Sequence, residues 1–254
     1  MSDLLILCGF AFLAGLMDAI AGGGGLILVP ALFAVFPSTA PALLLGTNKM
    51  SSIAGTLVAT LRYGWSVPIP WRKVLPAAAW AGVGAFAGAK TVTLLNPTIL
   101  RPVIVILLTL VALYTLMRRN FGVRPGHAPL VRYESFALPM LAAMIGFYDG
   151  FFGPGAGSFI IFGLVRWFGY DFLGAAAAAK ALNLATNFGA LVLFAATGNV
   201  MYMVAIPMAA CSIVGALIGA QLAITRGARF IRAAFLGIVV SLIAKLGWDL
   251  LHLG

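Results

Sequence analysis

The sequence is poor in charged residues, and above all in acidic ones. Its 254 residues include 6 Asp or Glu and 16 Lys or Arg, so that 9% are charged while 63% are hydrophobic. Soluble domains carry about 25% charged and about 45–50% apolar residues. This deficit excludes an ordinary soluble enzyme, a disordered chain and a coiled coil. It also argues against nucleic-acid binding, despite a net charge of +10.

Cysteine and histidine are equally scarce, with two of each. Cys8 and Cys211 lie in separate apolar segments, without the CxxC spacing that is typical of metal sites. His127 and His252 are far apart in the chain, in a polar loop and at the C-terminal end. Since GxSxG and HExxH motifs and clusters of carboxylates are missing too, the sequence predicts no enzyme activity, no cofactor and no metal site.

What the sequence has instead is a series of long apolar segments. They cover residues 3–20, 26–36, 40–61, 74–95, 98–117, 135–151, 158–168, 172–195, 201–224 and 231–250. A helix needs about 20 apolar residues to cross a hydrocarbon core of ~30 Å, and a stretch of 10–14 is more often a half-helix. The sequence therefore predicts an all-α, polytopic membrane protein in which 26–36 and 158–168 are half-helices.

Scarce residue types recur at a fixed offset of 131 positions. The matches are Asp18 with Asp149, Lys49 with Lys180, Pro76 with Pro207, and Arg101 with Arg232. Matches between such rare residues indicate a duplication. The predicted units are a first transmembrane repeat over 1–117, a cytoplasmic linker over 118–132 and a second transmembrane repeat over 133–254.

The basic loops predict that the two repeats are inverted. Lys and Arg are concentrated in cytoplasmic loops. Loop 62–73 carries three of them and its counterpart 193–204 none, whereas loop 226–232 carries three and its counterpart 95–101 only one. Because this phasing is opposite in the two halves, each repeat is predicted to hold one glycine-broken hairpin and three transmembrane helices, with opposite orientations. Inverted repeats are typical of transporters.

A glycine cluster precedes each short apolar segment, at 22–25 and at 153–157. A helix that begins at such a break directs its free N–H groups and its positive dipole end toward the bilayer centre, where they can bind an anion. The half-helices should begin near Leu26 and Ser158. The candidate anion-binding residues at the breaks are Gly24, Gly25, Gly155, Gly157 and Ser158. A tight turn that only permits close helix packing is the alternative interpretation.

Four charged residues fall within apolar segments. Lys49 and Lys180 lie near the middle of spanning segments, and Asp18 and Asp149 lie 31 residues before them, beside the glycine clusters. An ionised group at this depth costs at least ~2.5–3.5 kcal/mol, so a partner or a task is expected. One interpretation pairs Asp18 with Lys49 and Asp149 with Lys180 within each repeat. In the other, the lysines bind an anion, and the aspartates hold or deprotonate them as candidate proton-coupling groups.

Amide and hydroxyl side chains flank both lysines on their helices. They are Asn48, Ser51 and Ser52 in the first half, and Asn183 and Asn187 in the second. Such groups can donate hydrogen bonds to the oxygens of an oxyanion, and Asn48 and Asn183 are the candidate ligands. They can equally tie neighbouring helices together.

Two stretches carry a resemblance to a known family. Residues 15–30, GLMDAIAGGGGLILVP, and their second copy at 146–159, GFYDGFFGPGAGSF, resemble the repeated motif of the TauE/SafE sulfite exporter family. The similarity extends over essentially the whole chain, and its Asp and Lys residues resemble one branch of that family. It implies a multi-pass protein of the bacterial inner membrane that exports small anions: sulfite, thiosulfate, sulfonates, or related organosulfur and carboxylate compounds.

The sequence thus predicts a transporter that binds a small anion between its repeats and works by alternating access. Both chain termini are predicted to lie outside the cytoplasm. The expected partners are the anion and the lipid bilayer, not nucleic acid, and a homo-oligomer is left open. A passive anion channel and a non-transporting membrane protein with purely structural charges are the alternatives.

Overall fold

The computed structural model describes residues 2–100, 102–104, 106, 107, 110 and 134–226. All regular secondary structure in these ranges is helical, which confirms the predicted all-α class for them. The helices are α1 (Ser2–Ala21), α2 (Gly25–Val35), α3 (Pro41–Ser66), α4 (Trp71–Leu94), α5 (Pro97–Ile104), α6 (Glu134–Phe151), α7 (Ala156–Phe168), α8 (Phe172–Ala196) and α9 (Tyr202–Arg226). The predicted linker 118–132, segment 231–250 and much of segment 98–117 lie outside the described residues.

Within the described residues, three helices are long and apolar enough to cross a membrane, namely α1 over Asp3–Ala21, α8 and α9. A fourth span results if α4 and α5, which meet at an angle of 115°, are taken as one broken span. Helix α3 has 26 residues. At 1.5 Å per residue it is about 39 Å long, which is enough to cross. A run of polar residues that begins at Thr47 lowers its hydropathy. The predicted multi-pass helical membrane protein is confirmed.

The two short helices follow the glycine clusters. With 11 and 13 residues, α2 and α7 are roughly 17 and 20 Å long, too short to cross a membrane. They begin at Gly25 and Ala156, close to the predicted starts. Gly22 after α1 and Gly155 before α7 have φ values of +73° and +83°. Because side chains disfavour this left-handed region, glycine is what lets the chain turn here.

Glycines also bring two pairs of helices into backbone contact, α4 with α6 and α9 with α1. The contacts to a backbone carbonyl are Gly84 with Ala143, Gly88 with Phe147, Gly215 with Phe12, and Gly219 with Leu16. A Cβ at any of these glycines would clash with its partner, so they permit the close approach expected of small-xxx-small patterns. The offset of 131 converts the first two contacts into the last two. Each interface therefore joins the first half of the chain to the second.

Large apolar side chains cover the outer faces of the helices. More than half of the surface is exposed at Leu5, Trp80, Phe136, Met144 and Met203. Polar side chains lie inside instead, and Lys49, Lys180 and Asp149 are at most 4% exposed. A soluble protein rarely exposes so many large apolar groups. This arrangement suits contact with lipid tails.

Candidate functional site

The two glycine breaks contact each other directly. Gly22, at the end of α1, lies so close to Gly157, at the start of α7, that a Cβ on Gly22 would come within 2.7 Å of the Gly157 Cα. Ser158 Oγ donates a hydrogen bond of 2.7 Å to the Ala21 carbonyl. Gly25 faces Pro154 in the other break. The two half-helices therefore begin side by side.

Each buried lysine is paired with an aspartate from the other half of the chain. Lys49 Nζ on α3 lies 2.8 Å from Asp149 Oδ1 on α6, and Lys180 Nζ on α8 lies 3.0 Å from Asp18 Oδ2 on α1. Lys180 also donates to the Asp18 backbone carbonyl. The interpretation that pairs Asp18 with Lys49 and Asp149 with Lys180 is therefore wrong. We refer to the two observed contacts as the crossed pairs.

The contact between the two glycine breaks explains why each lysine pairs with an aspartate from the other half. Gly157 contacts both Gly22 and the Asn183 side chain of α8. The end of α1, which carries Asp18, therefore lies next to α8, one helical turn from Lys180. Spacing along the chain gave no information on this, because the 31 residues between each aspartate and the lysine after it can fold back in more than one way.

Burial makes the crossed pairs strongly interdependent. Lys180 is 0% exposed and the Asp149 side chain 6%, whereas the Asp18 side chain is 19% exposed. Removal of one partner from a buried pair typically costs about 3–5 kcal/mol, since it leaves an uncompensated charge. The pairs thus allow four ionised groups to exist at membrane depth.

A small cavity lies between the crossed pairs and the glycine breaks. We call it the central cavity, and its lining consists of Asp18, Gly22, Gly25, Asn48, Lys49, Ser52, Asp149, Gly153, Gly157, Asn183 and Asn187. Every one of these residues is polar, charged or glycine. The space open to the centre of a water molecule is about 20 Å³, which is room for one or two waters. An oxyanion would need the lining to move apart.

The central cavity includes some of the predicted binding residues and not others. Those that line it are Asn48, Lys49, Asn183, Gly25 and Gly157, together with both aspartates. Four lie elsewhere. Lys180 is held by Asp18, and Ser158 uses its hydroxyl to bind Ala21. Gly24 packs on Ala14, and Gly155 forms the turn before α7.

Two polar residues that the sequence analysis placed beside the lysines, but did not select as candidate ligands, also line the central cavity. They are Ser52 and Asn187. Asn187 Nδ2 donates to Thr56 Oγ1 at 3.2 Å, and that hydroxyl lies 3.5 Å from Asp18 Oδ2. Asn187 and Thr56 are themselves 131 positions apart, so residues that correspond in the two halves contact each other here. The shared offset was the signal that could have identified Thr56.

Three buried polar atoms near the lysines have no hydrogen-bond partner within the described ranges: Asn48 Oδ1, Ser51 Oγ and Asp149 Oδ2. Buried polar groups are nearly always hydrogen-bonded, so such atoms call for an explanation. Two of the three residues, Asn48 and Asp149, line the central cavity. In the same part of the chain no three His, Cys, Asp or Glu side chains come close enough to hold a metal ion.

A second polar contact between the halves lies at the start of α4 and α6. Glu134 accepts hydrogen bonds from Lys73 Nζ and, at 3.1 Å, from the Tyr170 hydroxyl. Burial, followed by the negative charge of Glu134, raises the pKa of Tyr170 above its ordinary value. The Lys73 side chain is 52% exposed, so its ion pair with Glu134 adds little stability.

The comparison with protein families identifies the chain. The model of the family described as "Sulfite exporter TauE/SafE" matches residues 7–246. Full-length relatives also match, although no solved structure does. A "Probable membrane transporter protein ORF9" of Sinorhizobium sp. is 36% identical over 242 residues, which is 95% of this chain and 91% of the relative.

Two further relatives also match over most of both chains. A "Probable membrane transporter protein" of Haemophilus influenzae is 34% identical, over 97% of this chain and 96% of its own length. The "Probable membrane transporter protein YfcA" of Escherichia coli K12 is 35% identical, over 94% of this chain and 87% of its own. The resemblance inferred from the glycine motifs is confirmed: the chain belongs to the sulfite exporter TauE/SafE family.

Proposed function

We propose that the protein carries a small anion across the bacterial inner membrane and binds it in the central cavity. The observation that carries this proposal is the pair of buried lysines beside a polar cavity at the meeting point of two half-helices. Lys49 and the positive end of α7 offer an anion both charge and hydrogen-bond donors. Asn48 on α3 and Asn183 on α8 add amide donors to the lining of the central cavity.

The lining favours a compact, fully polar substrate. Since none of its side chains is apolar, a ligand with a long hydrocarbon part would find no complementary surface. Sulfite, a short sulfonate or carboxylate anion, or a related organosulfur anion fits this chemistry. The chain's membership of the sulfite exporter TauE/SafE family supports the same class of substrate, and export as the direction.

The way in which the two halves are joined supports alternating access as the mechanism. Both crossed pairs, the glycine interfaces and the Thr56–Asn187 contact link the first half of the chain to the second. Their exchange under the 131 offset supports two repeats related by a two-fold axis, and the basic loops support an inverted arrangement with both termini outside. Movement of one repeat against the other would enlarge the cavity toward one side at a time.

Purified protein in liposomes tests this proposal. Uptake of sulfite, thiosulfate, sulfoacetate, taurine and small carboxylates is measured for the wild type, for Lys49→Gln and for Lys180→Gln. We expect uptake of at least one of these anions, and a loss of about tenfold or more in Lys49→Gln, because one buried charge contact is worth ~1.5–3 kcal/mol. Folding is checked by size-exclusion chromatography. Absence of uptake and binding for the whole panel refutes the proposal.

A structural role for the charges is the competing interpretation, because each lysine already has a carboxylate partner. It predicts that both glutamine variants fold poorly and that the folded fraction keeps full ligand response. A passive channel would differ in another way, since it would conduct continuously at a fixed potential and would not accumulate substrate against a gradient.

A further inference from the structure

The aspartates of the crossed pairs correspond to each other in the two halves but differ in their surroundings. Asp18 Oδ2 accepts from Lys180 and lies within 3.5 Å of the Thr56 hydroxyl. Asp18 also lines a second small cavity beside α1 and α9. Asp149 is more deeply buried, its Oδ1 is paired with Lys49, and its Oδ2 has no partner among the described residues.

The two lysines also differ in their surroundings. Lys49 lines the central cavity, whereas Lys180 does not and remains bound to the side chain and backbone of Asp18. An anion that enters the cavity therefore reaches Lys49 first. Once the anion takes the hydrogen bonds of this ammonium group, Asp149 loses Lys49, its charged partner within the described part of the chain.

A buried carboxylate without a partner is far more stable when neutral. We propose that binding of an anion at Lys49 is coupled to the uptake of one proton by Asp149, so that the anion and the proton move together. This inference rests on the proposed function. A hydronium ion in the opened cavity supplies the proton: one of its O–H bonds breaks and leaves a water molecule, while an O–H bond forms at Asp149 Oδ2.

The charge of the site supports the same conclusion. With both lysines and both aspartates ionised, the four groups sum to zero. An anion adds uncompensated negative charge to this buried site, and one proton at Asp149 offsets one unit of that charge.

The other charged and titratable groups on the helices around Asp149 do not substitute for Lys49. These groups are Asp3, Cys8 and Asp18 on α1, Arg62 and Tyr63 on α3, Arg72, Lys73 and Lys90 on α4, Glu134 and Tyr148 on α6, Arg166 on α7, and Lys180 on α8. Arg62 donates to the Gln221 side chain, and the Tyr63 hydroxyl donates to the Ala19 carbonyl. Lys180 is bound to Asp18, and Lys73 to Glu134 at the opposite end of α6. The Tyr148 hydroxyl donates to the Pro154 carbonyl, and Lys90 is exposed.

Calorimetric titration of the full chain in detergent with thiosulfate and sulfoacetate tests the inference, because neither anion gains a proton near neutral pH. Titrations in Tris and in imidazole, which differ in ionisation enthalpy, give the number of protons taken up per anion bound. We expect about one for the wild type, with an affinity that increases up to about tenfold for each unit by which the pH falls.

Asp149→Asn is the decisive variant and Glu134→Gln its matched control, because Glu134 lies at the other end of α6, is bound to Lys73 and does not line the central cavity. Asp149→Asn should still bind the anion, with proton uptake and pH dependence abolished, whereas Glu134→Gln should retain binding, proton uptake and pH dependence. If Asp149→Asn does not fold, Asp149→Glu keeps the titratable group and should retain proton uptake.

The two proposals fail in different ways. Binding without proton uptake, or proton uptake that persists in Asp149→Asn or is lost equally in Glu134→Gln, overturns the inference and leaves the proposed function intact. If neither these two anions nor the others of the panel bind, the proposed function fails and the inference with it.

Discussion

Neutralising Asp18 should destabilise the protein more than removing Lys180, although the two side chains form one ion pair. Asp18→Asn leaves the ammonium of Lys180 without a countercharge at a position that is 0% exposed. We expect a loss of about 3–5 kcal/mol in the free energy of unfolding. Lys180→Met instead leaves a carboxylate that is 19% exposed and close to Thr56. Its cost should be nearer 1–3 kcal/mol.

The double variant separates the crossed pairing from pairing within each half. If Asp18 and Lys180 interact as observed, their coupling energy should reach about 2–3 kcal/mol, at the upper end of the range for directly contacting residues. The matched cycle between Asp149 and Lys180, the partners expected within one half, should give less than about 1 kcal/mol, since they form no ion pair.

Unfolding in mixed micelles, followed by circular dichroism at one fixed pH, provides the free energies for both cycles. Correct folding of each variant is checked first by size-exclusion chromatography. Coupling energies that are equal in the two cycles, or larger for Asp149 and Lys180, would refute the crossed arrangement.

Three further predictions concern the helix contacts. Gly157→Ala should cost about 1–3 kcal/mol and abolish anion uptake, because its Cβ would lie 2.6 Å from Asn183 Nδ2, whereas Gly9→Ala, with no atom nearby, should be tolerated in both assays. Lys73→Ala should cost less than about 1 kcal/mol in thermal unfolding, and a larger loss would show that this exposed pair matters more than its exposure suggests. Tyr170 has a raised pKa, so its stabilisation is complete below about pH 10 and is lost only at higher pH. Tyr170→Phe should therefore be less stable at neutral pH and show a smaller decline under alkaline conditions, and an unchanged decline would contradict this assignment.

The elements of the fold were predictable wherever composition and local geometry decide them. The half-helices begin within two residues of the predicted positions, because Gly22 and Gly155 mark turns that other residues disfavour. The small-xxx-small spacings of Gly84 with Gly88 and of Gly215 with Gly219 are likewise typical of close helix packing. They could not identify the partners, since a carbonyl on α6 or α1 leaves no pattern of its own in the sequence.

The candidate site was predictable in content but less so in arrangement. Lys49, Asn48 and Asn183 were expected to face one cavity, and they line it. Lys180 was expected there too, but it is held by Asp18. The offset of 131 makes Lys49 and Lys180 equivalent in sequence, and only the packing around each reveals that one is accessible from the cavity and the other is not.

The sequence by itself determined that this is a helical membrane protein of the TauE/SafE family with four charges buried in apolar segments. Composition, segment length and glycine spacing are local properties, and the cost of charge in a membrane needs no coordinates. Only the tertiary structure decided which lysine meets which aspartate. Ion pairing depends on distances of a few ångströms, and these are set here by the contact between two glycine breaks that lie 135 residues apart in the chain, at Gly22 and Gly157.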